Sequence, residues 1–317
     1  MRRKKDWELR ETHATPEAVF RTRRRFVSAL GLGAVGGALG AAGLQQVTQA
    51  RILPTKAFTD FRVNPEFVDV GRALTREDKV FRFNNFYEFS LDKRAPIRLC
   101  RNFKLDPWKL QIDGLVKKPI TLDLDDIRKM GLEQRVYRFR CVEAWAMTLP
   151  WMGVPLSSLL ALAEPLAEAR FISMTSFFDP SIAPRQNSSA SPWPYQEGLT
   201  IAEAMNPLTF AAVGLYGKML QPQNGAPFRI VTPWKYGFKG PKSVVKIRLL
   251  RSQPSTFWNS LQGQEYGFYG NVNPHQPHPR WSQKREALLG EWGRRVATEE
   301  YNGYGRWVAD MYSGNEY

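Results

Sequence analysis

Apolar and polar positions alternate over short stretches of this chain and seldom keep a helical period for more than two turns. Trp108, Leu110 and Ile112 alternate with polar neighbours, "DGLVKKP" supplies a turn, and a second short strand opens at Ile120. Asp123 or Asp125 is placed to cap a helix over 127–130. "RVYRFRC" alternates again, putting Val136, Tyr137, Phe139 and Cys141 near the end of a strand. Leu156, Leu159, Leu160 and Leu162 keep helical spacing, and "RFISMTSF" reads as another strand. "TIAEAMNPLTFAAVGLYG" predicts a helix broken at Pro207, with strands to follow over 228–231 and 244–250.

Between these elements the pattern lapses. Residues 51–80 show no sustained period, and 81–96 are rich in Phe and Asn, as in a loop whose rings pack while its amides bond locally. The Pro-, Ser- and Asn-rich loop at 179–198 is long enough for a lid or a substrate rim. The tail from Glu265 has little regular pattern, and there is no internal repeat or linker to split 51–317. Hydrophobic residues at 43% and aromatic residues at 13% of 317 supply a sizeable core.

The net charge of +15 divides unevenly, because residues 1–50 hold nine basic against four acidic residues. The excess in the remainder is interspersed with acids and carries no nucleic-acid-binding motif; it suits an anionic ligand or partner. Within the first fifty residues, Arg23, Arg24 and Arg25 precede Phe26, and no charge recurs before Arg51. That layout resembles a twin-arginine export signal, with a glycine-rich run too weakly apolar for a stable membrane span. Such signals carry proteins already folded around a cofactor. An oxidising destination also permits a Cys100–Cys141 disulfide.

Catalytic side chains are scarce. The histidines are His13, His275 and His278, and no H-E-x-x-H, C-x-x-C, G-x-S-x-G or Walker loop occurs. A Cys–His pair or a zinc site built from such widely spaced residues lacks its usual spacing. Cys141, followed by Glu143 and Trp145, remains as a core thiol, half of a disulfide, or a soft ligand to a metal whose other donors are organic. A basic loop over 235–242, with Gly237 and Gly240 and with Arg229 nearby, suits a phosphate on such a group.

Six blocks carry a resemblance over nearly the whole chain: "NNFYEF", "RCVEAW", "YGK" with "PQNGAP", "PWKYGFKGPKS", "EYGFYGNVNPH" and "HPRWSQ". Together they resemble the periplasmic protein-methionine-sulfoxide reductase catalytic subunits, in the sulfite-oxidase superfamily of molybdenum enzymes. The resemblance implies an α+β, sulfite-oxidase-type molybdopterin-binding fold of mixed β-sheets, short helices and long loops, occupying 51–317 after a 1–50 signal. It implies a Mo-molybdopterin cofactor, with one pterin dithiolene and Cys141 as the protein's metal ligand. Glu143 and Tyr266 would line the metal pocket, and Asn84, Tyr87, Glu88, Ser176, Asn224, Arg229, Gly240, Pro241 and Lys242 would contact the cofactor. The implied activity is reduction of methionine sulfoxide in periplasmic proteins, by a monomeric subunit fed by a haem-containing, quinone-linked inner-membrane partner. Alternatives are another S- or N-oxide reductase, a sulfite oxidase, or an exported basic binding protein with the Cys100–Cys141 disulfide.

Overall fold

Two sheets face each other across an apolar layer, and the stretches that alternate most cleanly form their strands. The computed structural model describes residues 55–314 and Glu316; the expected signal over 1–50 lies outside them. Sheet one contains β1 (Arg62–Val63), β4 (Glu133–Arg140), β5 (Trp145–Pro155), β8 (Phe210–Leu215), β9 (Lys218–Met219), β10 (Arg229–Val231), β12 (Arg285–Leu288) and β13 (Arg295–Ala297). Sheet two runs β3 (Ile120–Leu122), β2 (Leu110–Gly114), β11 (Val244–Leu250), β6 (Phe171–Ser176), β7 (Gln196–Thr200). Seven short α-helices connect them: α1 (Glu77–Arg82), α2 (Pro96–Leu99), α3 (Leu124–Lys129), α4 (Leu156–Leu162), α5 (Ile201–Met205), α6 (Phe257–Gln262) and α7 (Gly305–Val308). Among the described residues no helix is long and apolar enough to cross a membrane.

Ile112, Ile172, Leu199 and Ile247 of sheet two meet Val154, Ala211, Val213 and Ile230 of sheet one in the inter-sheet core. The opposite face of sheet one buries Tyr137, Leu149, Trp151, Phe210 and Ala212 under α1 and α7. Sheet one is therefore covered on both sides, which explains the main departure from the sequence pattern. "FAAVGL" is strand β8, not the second half of a broken helix; only 201–205 is helical. A strand buried on both faces shows an unbroken apolar run, and periodicity cannot tell that from a buried helix. β5, containing Pro150 and Gly153, escapes prediction for the same reason. The expected α3 cap is present: the Asp123 side chain accepts from the Asp125 and Asp126 amides, and Asp126 reciprocates.

The tail without pattern has a structural task. β12 pairs in parallel with the start of β5, and its Glu286 receives the fully buried guanidinium of Arg140 at 2.7 Å. Arg72 reaches the other carboxylate oxygen. Arg140 also donates to the Cys141 carbonyl and to Gln283 Oε1 at 2.8 Å. Gln283 Nε2 and Trp281 Nε1 each donate to the Val142 carbonyl at 2.8 Å. The tail thus clamps the residues on either side of Cys141. Removing one partner of a buried pair strands the other charge, so Glu286→Gln is expected to cost about 3–5 kcal/mol. Urea denaturation checks this; Glu164→Gln, in the solvent-exposed Lys118–Glu164 pair, should leave the midpoint unchanged.

Candidate active site

Cys141 lies in the hairpin turn between β4 and β5, as the alternation of "RVYRFRC" predicts. Its amide donates to the Trp145 carbonyl at 2.9 Å, and the Ala144 amide returns to the Cys141 carbonyl at 3.1 Å. The tight turn forces Ala144 to φ +62°, a left-handed conformation that a residue with a Cβ adopts at a cost. The result puts Cys141 and Glu143 on the same wall of a cleft enclosing about 870 Å³ that is open to solvent at its mouth.

Around the thiol is a small polar network. Asn85 Nδ2 donates to Cys141 Sγ at 3.4 Å and to Glu143 Oε2 at 3.1 Å. Trp145 Nε1 adds a bond to Oε2 at 3.1 Å, and Lys93 Nζ reaches Oε1 at 3.0 Å. Burial alone would raise the Glu143 carboxyl, but bonds from Trp145, Asn85 and Lys93 outweigh it and hold the group below its ordinary value. Cys141 goes the other way: burial, then the neighbouring Glu143 charge, pushes the thiol up to about 12. A buried thiol of that kind is a poor nucleophile, whereas metal coordination removes its proton outright. Asn85 escapes the sequence reading because "NNFYEF" does not say which asparagine faces the cysteine. Asn84, the expected cofactor contact, also lines the cleft, with its amide donating to the Val80 and Phe81 carbonyls at the end of α1.

At the other end of the cleft the walls are cationic. Arg229 is buried and Lys242 half-buried, and neither has a carboxylate within ion-pairing distance among the described residues. Arg229 donates to the Asn224 carbonyl at 2.9 Å and lies 4.9 Å above the Trp151 ring, while its Nε is buried without a partner. Burial depresses its pKa to about 10. Lys242 donates to the Asn85 carbonyl at 2.6 Å and is also depressed, first by burial and then by Arg229. Glu88, buried nearby, is raised by its desolvation. With Glu88 the carboxyl that acts on Lys242 and no ion pair to either cation, their desolvation is costly, and an anionic group in the cleft lowers that cost.

The loop over 235–242 is less basic toward the cleft than its composition suggests. Lys235 is paired with Glu203 and Lys239 with Glu197, each at 2.5 Å and fully buried, so only Lys242 is left for a ligand. The Gly240 amide is bonded to the Gly237 carbonyl at 3.2 Å and is not offered to a phosphate. These glycines serve close packing instead: a Cβ on Gly240 would lie 2.6 Å from the Ile230 carbonyl oxygen.

Cys141, Glu143, Tyr266, Asn84, Tyr87, Glu88, Asn224, Arg229, Gly240, Pro241 and Lys242 all line this one cleft. Ser176 does not; it ends β6 with its hydroxyl buried and unpaired, while Thr175 donates to Gln196 at 3.3 Å. Tyr195, from the 179–198 loop, and Trp258 also line it and were not foreseen, because nothing in their local sequence marks them. The Cys100–Cys141 disulfide is absent: both cysteines are free, Cys100 packing with Phe86 and Phe103, Cys141 with Tyr236 and Tyr266. Among the described residues no group of three or more His, Cys, Asp or Glu side chains could hold a metal unaided.

A lone buried thiol sharing a cleft with two cations that have no ion pair among the described residues suits a metal with an anionic organic ligand, so the residues fit such a group. The family described as "Oxidoreductase molybdopterin binding domain" matches residues 97–258, which defines the class as a molybdopterin-dependent oxidoreductase. The protein-methionine-sulfoxide reductase catalytic subunit MsrP of Burkholderia mallei (strain ATCC 23344) is 45% identical over 311 residues, covering 97% of this chain and 94% of that one. The chain belongs to the MsrP family of molybdopterin-binding oxidoreductases. A partial likeness to the sulfane dehydrogenase SoxCD of Paracoccus pantotrophus covers 59% of this chain and 55% of that chain, with 16% identity and a TM-score of 0.42.

If the buried charge of Arg229 serves a bound anion, Arg229→Met should have opposite effects on loading and on stability. Pterin and molybdenum content of the purified variant should fall, by metal analysis and oxidised-pterin fluorescence. Cofactor-free variant should melt at or above the cofactor-free parent, with a gain of up to about 1–4 kcal/mol.

Proposed function

We propose that this chain reduces methionine sulfoxide residues in exported proteins, R2S=O + 2e⁻ + 2H⁺ → R2S + H2O, reversing an oxidative lesion that makes an apolar side chain polar. The observation that carries this reading is the 45% identity, over 97% of the chain, to a protein named as the catalytic subunit of that reductase. A molybdenum atom on one pterin dithiolene, when bound, supplies the two-electron chemistry.

The chain's own residues bind, orient and filter. Cys141 Sγ is the protein's thiolate ligand. Arg229 and Lys242 hold the cofactor's anionic end, with Asn84, Tyr87, Glu88, Asn224, Gly240 and Pro241 packed around it and Ser176 the remaining contact the family implies. Glu143, kept ionised by Asn85, Trp145 and Lys93, disfavours an anion such as sulfite and tolerates a neutral sulfoxide. Tyr266 keeps its proton on Oη at neutral pH, since burial raises its pKa, and donates it toward the departing oxygen. Its ring is set by Trp258 at 4.9 Å and Phe238 at 5.3 Å.

The rest of the reading follows the family. The chain is exported folded to the periplasm by the twin-arginine signal and works there as a monomeric subunit. A haem-containing inner-membrane partner linked to the quinone pool delivers the electrons. Cys141→Ser should lose molybdenum and all activity, while Cys100→Ser retains most of both; equal loss in the two variants counts against the ligand assignment. Turnover of an oxidised protein should exceed that of dimethyl sulfoxide, with sulfite untouched. Strong sulfite oxidation without sulfoxide reduction would sink the reading in favour of a sulfite oxidase.

A further inference from the structure

Beside the cysteine cleft lies a second concavity, an open groove enclosing about 710 Å³. Tyr87 and Leu91 form one side, Arg185 and Trp193 of the 179–198 loop another, and Trp258 and Leu261 of α6 the third. Tyr87 and Trp258 belong to both concavities, with their rings edge-on at 5.1 Å. From Trp258 the ring contacts continue inward to Tyr266 at 4.9 Å. They continue outward to Phe257 at 5.5 Å and from there to Trp193 at 4.7 Å. One aromatic wall therefore runs from the groove to the site of chemistry.

Two features of the groove call for an occupant. Leu91 is 57% and Leu261 37% exposed, so apolar surface stands in water beside the aromatic wall. Arg185 has no ion pair or side-chain hydrogen bond among the described residues, and its Nε is buried without a partner. We propose that the groove holds the extended polypeptide flanking the methionine sulfoxide whose side chain enters the cleft. An apolar substrate side chain packs on Leu91, Trp258 and Leu261, and a carbonyl or carboxylate of the segment accepts from Arg185. This rests on the reductase reading of the cleft and adds where the substrate's neighbours lie. The groove's continuity with the cleft through shared residues favours a substrate segment.

Leu91→Ser with Leu261→Ser tests it, since both side chains are exposed and neither lines the cleft. The substrates are N-acetylmethionine sulfoxide amide, too short to reach the groove, and two peptides with a central methionine sulfoxide flanked by Phe and Leu or by Gly and Ser. The parent should prefer the apolar-flanked peptide. The double variant should lose about tenfold in kcat/KM on that peptide, the worth of one buried apolar side chain. The loss should fall on KM, with the amide's kinetics unchanged. Binding of the unoxidised apolar peptide, followed by tryptophan fluorescence without turnover, should weaken to the same degree. Equal handling of the two peptides by the parent, or equal loss on peptide and amide in the variant, overturns the groove. A variant that shifts sedimentation and leaves peptide affinity alone gives the groove to a second copy and also overturns it. If molybdenum-loaded parent reduces none of the sulfoxides yet binds the peptide, the reductase reading fails while the groove stands.

Discussion

The buried pair between Arg140 and Glu286 is the constraint on which the site depends. A guanidinium with no exposure to water needs every donor used, and Arg140 uses its own on Glu286, Gln283, Thr298 and the Cys141 carbonyl. The last of these matters most for function. It fixes the backbone of the very residue whose side chain faces the cleft, in a turn already strained at Ala144. Fixing that turn at both shoulders lets the protein hold a thiol and a carboxylate side by side without either collapsing into the core.

Charge is arranged on a second principle. Of the cations around this region, the fully buried Arg140, Lys235 and Lys239 each have a carboxylate of their own. Arg229 and Lys242 do not. Pairing the first three closes them off as scaffold and leaves the other two, among the described residues, as cations without an ion pair lining the cleft. Glu143 sets the opposite sign at the thiol end, so the cleft is polarised along its length: cationic where an anionic group would be anchored, anionic where a neutral substrate would approach.

The sequence pattern was most informative where polar positions interrupt an element's apolar run or a cap marks its start. β2, β4, the α3 cap and the approach to Cys141 all carry an alternation or a capping box that survives into the structure. It failed at β5 and β8, whose two buried faces erase the alternation. Site residues were recoverable where a contiguous block carried them, as with Asn224 and Arg229 or Cys141 and Glu143. Asn85, Tyr195 and Trp258 were not, because their roles come from tertiary placement; Tyr195 and Trp258 reach the cleft from a loop and a helix distant in sequence. Composition also misled locally, since the lysines at 235 and 239 look like ligand-binding charges until their buried glutamates are seen.

The Arg140–Glu286 pair also bears on the order in which the molecule can be built. The two residues are 146 positions apart in the chain, so during vectorial synthesis β4, β5 and the cysteine turn emerge long before the carboxylate that neutralises them. Domains fold as units when their last essential contact becomes available. For this chain that contact sits on β12, far along the sequence from β4. The cysteine turn therefore gains the counter-charge that holds its shoulder only once β12 has been made.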